Sequence, residues 1–479
     1  MIGRAILWPL AVAIAVLVLA PSRQVSAATT AEIEARYHAL KSDLQNLRPP
    51  AQTTTSDAEP VAGLYRPIDL RVALFRVARP EMAEEFAVLT AAQGARGMTA
   101  LALTHGVVDL QTLIATVQAT KPEWIGPDGF RIPIVIEPGA KLRLRPGDVL
   151  ALDRAYGAFV LGFGQFDSTG GAVIGTGAPN INAPAFRPFV LMSGTGTLVA
   201  QNSYFGALGF GWRPLFGGLA VVTNSLFGQA TSVMLDDVTI RDAGSVTVSG
   251  AGSARITNST FINARRSALI LQRSHAARIK NTVFFGGGSG DAIRLLDGAT
   301  DTIIDAVEIY DARENAIALA PGSHGTTIRD TLIWRPRHNG VRAEASECIT
   351  LRGLTILGAR FNGITLSGAR GTEVSAGIVE GARQAGLRIA ALPGDSVTTV
   401  RDIRFAHNRI GIETAAPGSV ALLNNDFRDQ FPRFLAGDVQ PLTPHLLADL
   451  SNRTPLVLTA GGRVDTPPKR PACLSKLEH

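Results

Sequence analysis

From about Phe130 to Phe427 the chain runs as short β-rich stretches punctuated by Gly, Asn and Asp. A small residue followed by an aliphatic one recurs at Ala268-Leu269, Ala292-Ile293, Ala316-Ile317, Gly340-Val341, Gly363-Ile364, Gly386-Leu387 and Gly411-Ile412. The intervals are 24, 24, 24, 23, 23 and 25 residues. A second marker, an aliphatic residue with Asn or Asp two places on, appears at Ile256/Asn258, Ile279/Asn281, Ile303/Asp305 and Ile328/Asp330. Gly353 and Ala376 hold that place in weaker copies. This period, with two or three short strands per copy, predicts an all-β right-handed parallel β-helix. Each coil lies ~4.8 Å from the last, so equivalent positions stack into columns. Leucine-rich repeats share the period, but their signature is absent; a propeller blade would need about 40 residues.

Counting each small residue as position 0 turns the repeat into a map. Position +1 is aliphatic and predicted to face inward. Position −1 carries Asp291, Asn315, Asn339 and Asn362, which can cap backbone amides of the neighbouring coil. Position −2 carries Glu314 and His338 on adjacent coils. Position −3 carries Arg265, Arg313, Arg337, Arg360 and Arg383, and is broken only at Ser289 and Asn408. Position +2 faces outward and includes Arg294, Arg342 and Arg388.

Ahead of the repeat the pattern differs. Residues 1–27 read as a secretory signal peptide: Arg4, an apolar run from Ala5 to Ala20, then Val25-Ser26-Ala27 as the cleavage site. An uncleaved anchor is the alternative. The mature protein is expected to be exported, with a Gram-negative periplasm as the simplest destination. Residues 28–125 form an N-terminal helical segment and linker. Ile33, Tyr37, Leu40, Leu44 and Leu47 make one apolar stripe on a helix over 29–47. Short helices are predicted over Pro80–Gly94 and Asp109–Thr120. The β-helix spans 126–430, and a Pro-rich tail occupies 431–479.

Charge then narrows the partner. The net charge is +6, and 40 of the 46 basic residues are Arg. A GC-rich genome explains an Arg bias but does not choose a column. Like charges ~5 Å apart repel by roughly 1 kcal/mol per neighbour, so a stacked row needs an offset. One reading is an anionic polysaccharide lying along the axis, its carboxylates meeting Arg265, Arg294, Arg313, Arg337, Arg342, Arg360 and Arg383. The other has these arginines splayed into solvent or paired with Glu308, Asp311, Glu314 and Glu380. Nucleic acid is not expected, since interleaved aromatics are lacking and the chain is exported. Two cysteines cannot build a disulfide framework or a cysteine-based zinc site. No nucleophile elbow, P-loop or histidine-rich metal spacing is present.

Several stretches carry a family resemblance. Thr104–Leu110, Ile132–Leu142, Tyr156–Leu161, Arg187–Val190 and Asn202–Gly209 follow, in order, segments of the secreted poly(mannuronate) C5-epimerases of bacterial alginate synthesis. The similarity covers about 100–430. It implies the same β-helix with a polymer groove along one face. It also implies removal of H5 from a uronate and reprotonation from the opposite side, with the carboxylate neutralised by a cation. The family's Asp-Pro-His-Asp motif is missing, however. Aligned by coil, its places hold Ile270, Leu271, Gln272 and Arg273, and the next coil has Asp291 where the family tends to have His.

The remaining candidates for acid and base are His338, Glu314 and Asp291, with Arg313 and Arg337 beside them. The alternative is that Glu314 pairs with Arg337 and His338 is a polar turn residue. An isomerase of the C5-epimerase type and a non-catalytic polysaccharide-binding scaffold of an exopolysaccharide export system both stay open. A surface adhesin is a third option. No cofactor or metal is expected, with calcium as an open alternative; other exopolysaccharide export proteins are candidate partners.

Overall fold

The computed structural model describes residues 30–47, 49–50, 58–77, 82–94, 97–211, 213–223, 232–394, 396–459, 462–464 and 473. Residues 1–27, read above as a signal peptide, lie outside them. The chain coils as a parallel β-helix. A 15-stranded sheet forms one side, and a 26-stranded sheet made of two strips forms the rest. The strips merge where Thr372–Glu380 and Val397–Ala406 run as single long strands.

The register is the one the repeat predicts. Leu269, Ile293, Ile317, Val341, Ile364, Leu387 and Ile412 pair in succession. None of the seven is more than 1% exposed. Each such side chain contributes about 1.5–3 kcal/mol on burial. The preceding residue is small because it has no room. A Cβ on Gly363 would lie 2.3 Å from Val379 Cγ1 and 2.6 Å from the Gly386 carbonyl oxygen.

The second marker is a left-handed turn. Asn258, Asn281 and Asp330 have φ of 51°, 49° and 49°, a conformation that Asn and Asp tolerate. One assignment shifts by a residue. Ile304, not Ile303, is the inward partner of Ile279, so Ala306 takes the turn with φ 52°. Asp305 is instead a strand residue, pairing with Lys280 and Arg329. Two adjacent isoleucines made the choice ambiguous in the sequence.

Both ends of the solenoid are closed. The parallel ladder already includes Thr99–Leu103, ahead of residue 126, and ends at Arg433–Gly437, after residue 430. The helix Leu110–Thr120 places Leu110, Leu113 and Val117 in the main core. At the other end Leu456–Thr459 pairs antiparallel with Ser419–Leu423. Edges covered in this way do not template further strands. Cys348 and Cys473 form a disulfide, a single staple between a late coil and the tail.

Three helices cover outward faces. Leu70–Phe75 and Ala83–Gln93 lie with Phe159, Leu161, Leu191 and Ala220 in a second apolar cluster. Helix α1, Thr30–Asn46, lies across later coils. Its Ile33 and Tyr37 pack with Tyr310, Trp334 and Leu357. The Tyr37 hydroxyl donates to Asp311 (2.6 Å) and Arg36 pairs with Glu308. Arg241 donates to the Leu44 and Leu47 carbonyls at the helix C-terminus, where a cation suits the helix dipole.

Candidate functional site

The −3 position forms a real row. Arg337, Arg360 and Arg383 each donate a backbone N–H into the preceding coil, to the carbonyls of Ala312, Pro336 and Ala359. Arg313, Arg337, Arg360 and Arg383 are exposed. Among the described residues, none of the four has a carboxylate within the 4.0 Å of an ion pair. The last three line an open groove of about 590 Å³ with Arg335, Pro336, Gly358 and Gly381. Arg335 was not singled out from the sequence, although it shares a turn with Arg337. It pairs with Glu34 of α1 (3.1 Å) and lies over the Trp334 ring.

The acids that could have neutralised the row are mostly engaged elsewhere. Glu308 holds Arg36, Asp311 accepts from Tyr37, and Glu380 lies 3.5 Å from His407. Glu314 is exposed and has no ion pair within 4.0 Å among the described residues, so the expected Glu314–Arg337 pair does not form. The mutual repulsion of the guanidinium groups is therefore left to solvent, counter-ions or a ligand.

Arg265 departs from its row. Its guanidinium donates to the carbonyls of Asp242, Leu208 (2.8 Å) and Gly209. Burial, with Arg187 nearby, pushes its pKa down to about 10. These bonds occupy the fork that a carboxylate would need, so Arg265 is a structural member of the row.

The outward +2 column also stacks. Ile270, Arg294, Ala318, Arg342, Thr365, Arg388 and Glu413 pair in that order. Its arginines are partly compensated. Arg294 Nε lies 3.6 Å from Asp291, Arg342 pairs with Glu344, and Arg388 is 4.0 Å from Glu413.

Between the two arginine columns runs a buried amide ladder. Asp291 Oδ1 accepts from Asn315 N and Nδ2 (3.1 and 2.8 Å). Asn315 Oδ1 accepts from Asn339 Nδ2 (2.8 Å), Asn339 Oδ1 from Asn362 Nδ2 (3.2 Å), and Asn362 Oδ1 from Ala385 N (3.0 Å). Each side chain thus caps the next coil. Asp291 opens the ladder and is buried, which raises its pKa. Loss of water is the largest cause, opposed by the Asn315 bonds and Arg294.

His338 hangs on this ladder. Its Nδ1 is 3.0 Å from Asn315 Oδ1 and 2.7 Å from Asn339 Nδ2. A neutral imidazole can satisfy only one of these. Donating to Asn315 leaves Nε2 bare, as an acceptor; accepting from Asn339 puts the proton on Nε2, as a hydrogen-bond donor. The structure thus links Asp291 and His338 through one amide, with Glu314 a neighbour of both. The other histidines sit apart: His275 is 3.2 Å from Asp301, and His324 accepts from Glu347 N.

The aligned motif places lie elsewhere. Gln272 and Arg273 line a small cleft of about 140 Å³ with Met82, Arg213, Thr247 and Ser249. Ile270 and Leu271 are buried. No acid lines this cleft among the described residues. Nor, among them, do three or more His, Cys, Asp and Glu side chains gather as a metal-holding group. No helix there is long and apolar enough to cross a membrane.

Comparison with known proteins supports the architecture. A family model described as a right-handed β-helix region matches residues 244–391. The crystal structure of the periplasmic alginate epimerase AlgG is similar, with a TM-score of 0.59 and 13% identity over 83% of this chain and 95% of that one. A doubly substituted form of AlgG gives a TM-score of 0.65 and 15% identity, over 78% of this chain and 95% of that one. At such identities the likeness shows the fold alone. No curated protein sequence matches the chain.

Proposed function

We propose that this chain is an exported, carbohydrate-active β-helix protein that holds an anionic polysaccharide along its arginine row. One observation carries the reading. Arg337, Arg360 and Arg383 line a single open groove at coil spacing and lack carboxylate partners among the described residues. A polyuronate repeats at roughly that spacing, so successive carboxylates can meet successive guanidinium groups, each in bidentate fashion. The likeness to AlgG, named as an alginate epimerase, supports a polysaccharide over other polyanions. A place in exopolysaccharide biosynthesis, with export proteins as partners, follows from the same reading. Titrating the protein with polymannuronate at several ionic strengths tests it. Affinity should fall steeply as salt rises; absence of binding at low salt would overturn it.

A second reading is isomerisation at C5 of a uronate residue within the polymer. The position of His338 favours it, beside exposed Arg313 and Arg337 with its Nδ1 in the amide ladder. An arginine would neutralise the carboxylate and make H5 removable. A base would take H5, and an acid on the other side would return a proton, leaving composition unchanged. His338 and Glu314 are the groups able to exchange protons there, with Asp291 supporting His338 through Asn315. Incubation with polymannuronate in D₂O decides between the readings. Deuterium at C5 establishes turnover; binding without exchange leaves a scaffold.

A further inference from the structure

The −2 column next to the arginine row holds a feature that charge alone does not require. Glu314, His338, Phe361 and Gln384 stack there, joined by backbone bonds from His338 N to Glu314 O (3.2 Å), Phe361 N to His338 O (3.1 Å) and Gln384 N to Phe361 O (3.0 Å). Phe361 is 36% exposed, and it is the one exposed large hydrophobic side chain described between Ile181 and Leu423. Every other large apolar residue described in those coils is more covered, so this ring stands out against an otherwise polar turn surface.

Its neighbours give it a direction. The His338 ring lies against Phe361 at a centroid distance of 4.2 Å and an angle of 33°. The amide ladder fixes His338, and His338 therefore supports one side of Phe361. On the next coil stands Gln384, whose side-chain amide has no hydrogen-bond partner among the described residues. Positions −1, 0 and +1 of the His338 and Phe361 coils are all buried: Asn339, Gly340, Val341, Asn362, Gly363 and Ile364. The positions left unburied across each turn are therefore, in order, −3, −2 and +2, with His338, Arg342 and Thr365 half-buried. The rings lie between the row of Arg337 and Arg360 and the column of Arg342 and Arg388.

We infer that Phe361, braced by His338, is a stacking platform for one pyranose ring of the bound polymer, with Gln384 meeting that sugar's hydroxyls. The inference rests on the polysaccharide reading above and adds a selection rule to it. Guanidinium groups accept any polyanion of suitable spacing. An aromatic face and a free amide select an anionic polymer built of sugar rings, each with an apolar C–H face and hydroxyl groups. Polyphosphate offers neither.

The test compares two polyanions, polymannuronate and inorganic polyphosphate, at matched ionic strength. Binding of each is measured to the full chain and to Phe361→Ala, Phe361→Trp, Gln384→Ala and the pair Arg337→Glu/Arg360→Glu. A thermal melt checks that each variant is folded at the temperature of the binding measurement. Phe361→Ala should weaken polymannuronate binding about three- to tenfold, the range of one aromatic contact, and leave polyphosphate binding unchanged. Phe361→Trp should retain polymannuronate binding, and Gln384→Ala should weaken it while sparing polyphosphate. The double arginine reversal should weaken both polymers. If Phe361→Ala lowers both affinities equally, or neither, the platform is overturned while the arginine reading stands. If the unaltered chain binds neither polymer, the arginine reading itself falls and the platform falls with it.

Discussion

The −1 and −3 columns lie two residues apart on the same coils, and both are polar ladders with the same period. They do opposite work. The −1 amides are buried, and each oxygen receives donors from the next coil. Below Arg265, the −3 guanidinium groups are exposed and have no carboxylate partner among the described residues. Burial makes the difference. A buried amide without a partner costs about 1–3 kcal/mol, so the inner column must complete its bonds within the fold. An exposed cation is solvated and can wait for a partner. The inner column therefore serves stability, and the outer one is left free for the polyanion proposed above.

The sharpest way to break this contrast is to substitute one member of each column. Asn339→Leu removes a rung that bonds to Asn315, His338, Asn362 and Thr365. A loss of about 3 kcal/mol is expected in a denaturant titration, from the unsatisfied groups left behind. Arg337→Glu/Arg360→Glu should leave the melt unchanged or raised, yet reduce polyuronate affinity by about ten- to a hundredfold at low salt. If that pair instead unfolds the protein, the division between the columns fails.

Arg265 sharpens the comparison, because it shares the outer row but not its exposure. Arg265→Ala should destabilise by about 2 kcal/mol, through the carbonyls it leaves unpaired. Polymer affinity of the folded fraction should stay the same. A large specific loss of affinity with an unchanged melt would return Arg265 to the binding row.

The smallest expected effect is at Asp291. Its carboxyl pKa is raised in the fold, chiefly by burial. A raised folded value means that the stabilising contribution is complete below the unfolded pKa and is lost as pH rises through the folded one. Asp291→Asn keeps the acceptor for Asn315 without the buried charge. It should match or exceed the unaltered chain near neutral pH, by up to about 1 kcal/mol, and the gap should close as pH falls below roughly 4. Melts across that pH range measure it. A gap that widens in acid would contradict this account.

Much of the fold is legible in the sequence because β-helix contacts are local in a particular sense. Each coil touches the next, so a period of 23 to 25 residues converts linear spacing directly into neighbours. That is why Leu269 through Ile412 could be aligned without a structure. Ile303 and Ile304 show the limit: both fit the inward site, and only pairing with Ile279 chooses between them. The site was legible in part. The arginine columns follow from the period, but Phe361 and Gln384 carry no repeat signal, since each occurs once in its column. Arg335 was hidden because it lies outside the counted positions.

The sequence by itself determined the coil period, the inward aliphatic stacks, the amide column and the row of arginines, because each repeats at the spacing that stacking requires. Only the tertiary structure decided which of those arginines are available. Helix α1 is distant in sequence from the coils it covers, yet it takes Glu308 and Asp311 as partners. The carbonyls of Asp242, Leu208 and Gly209 take Arg265. Spacing places a charge on a face, but exposure and partners depend on what else folds over that face, and no repeat encodes that.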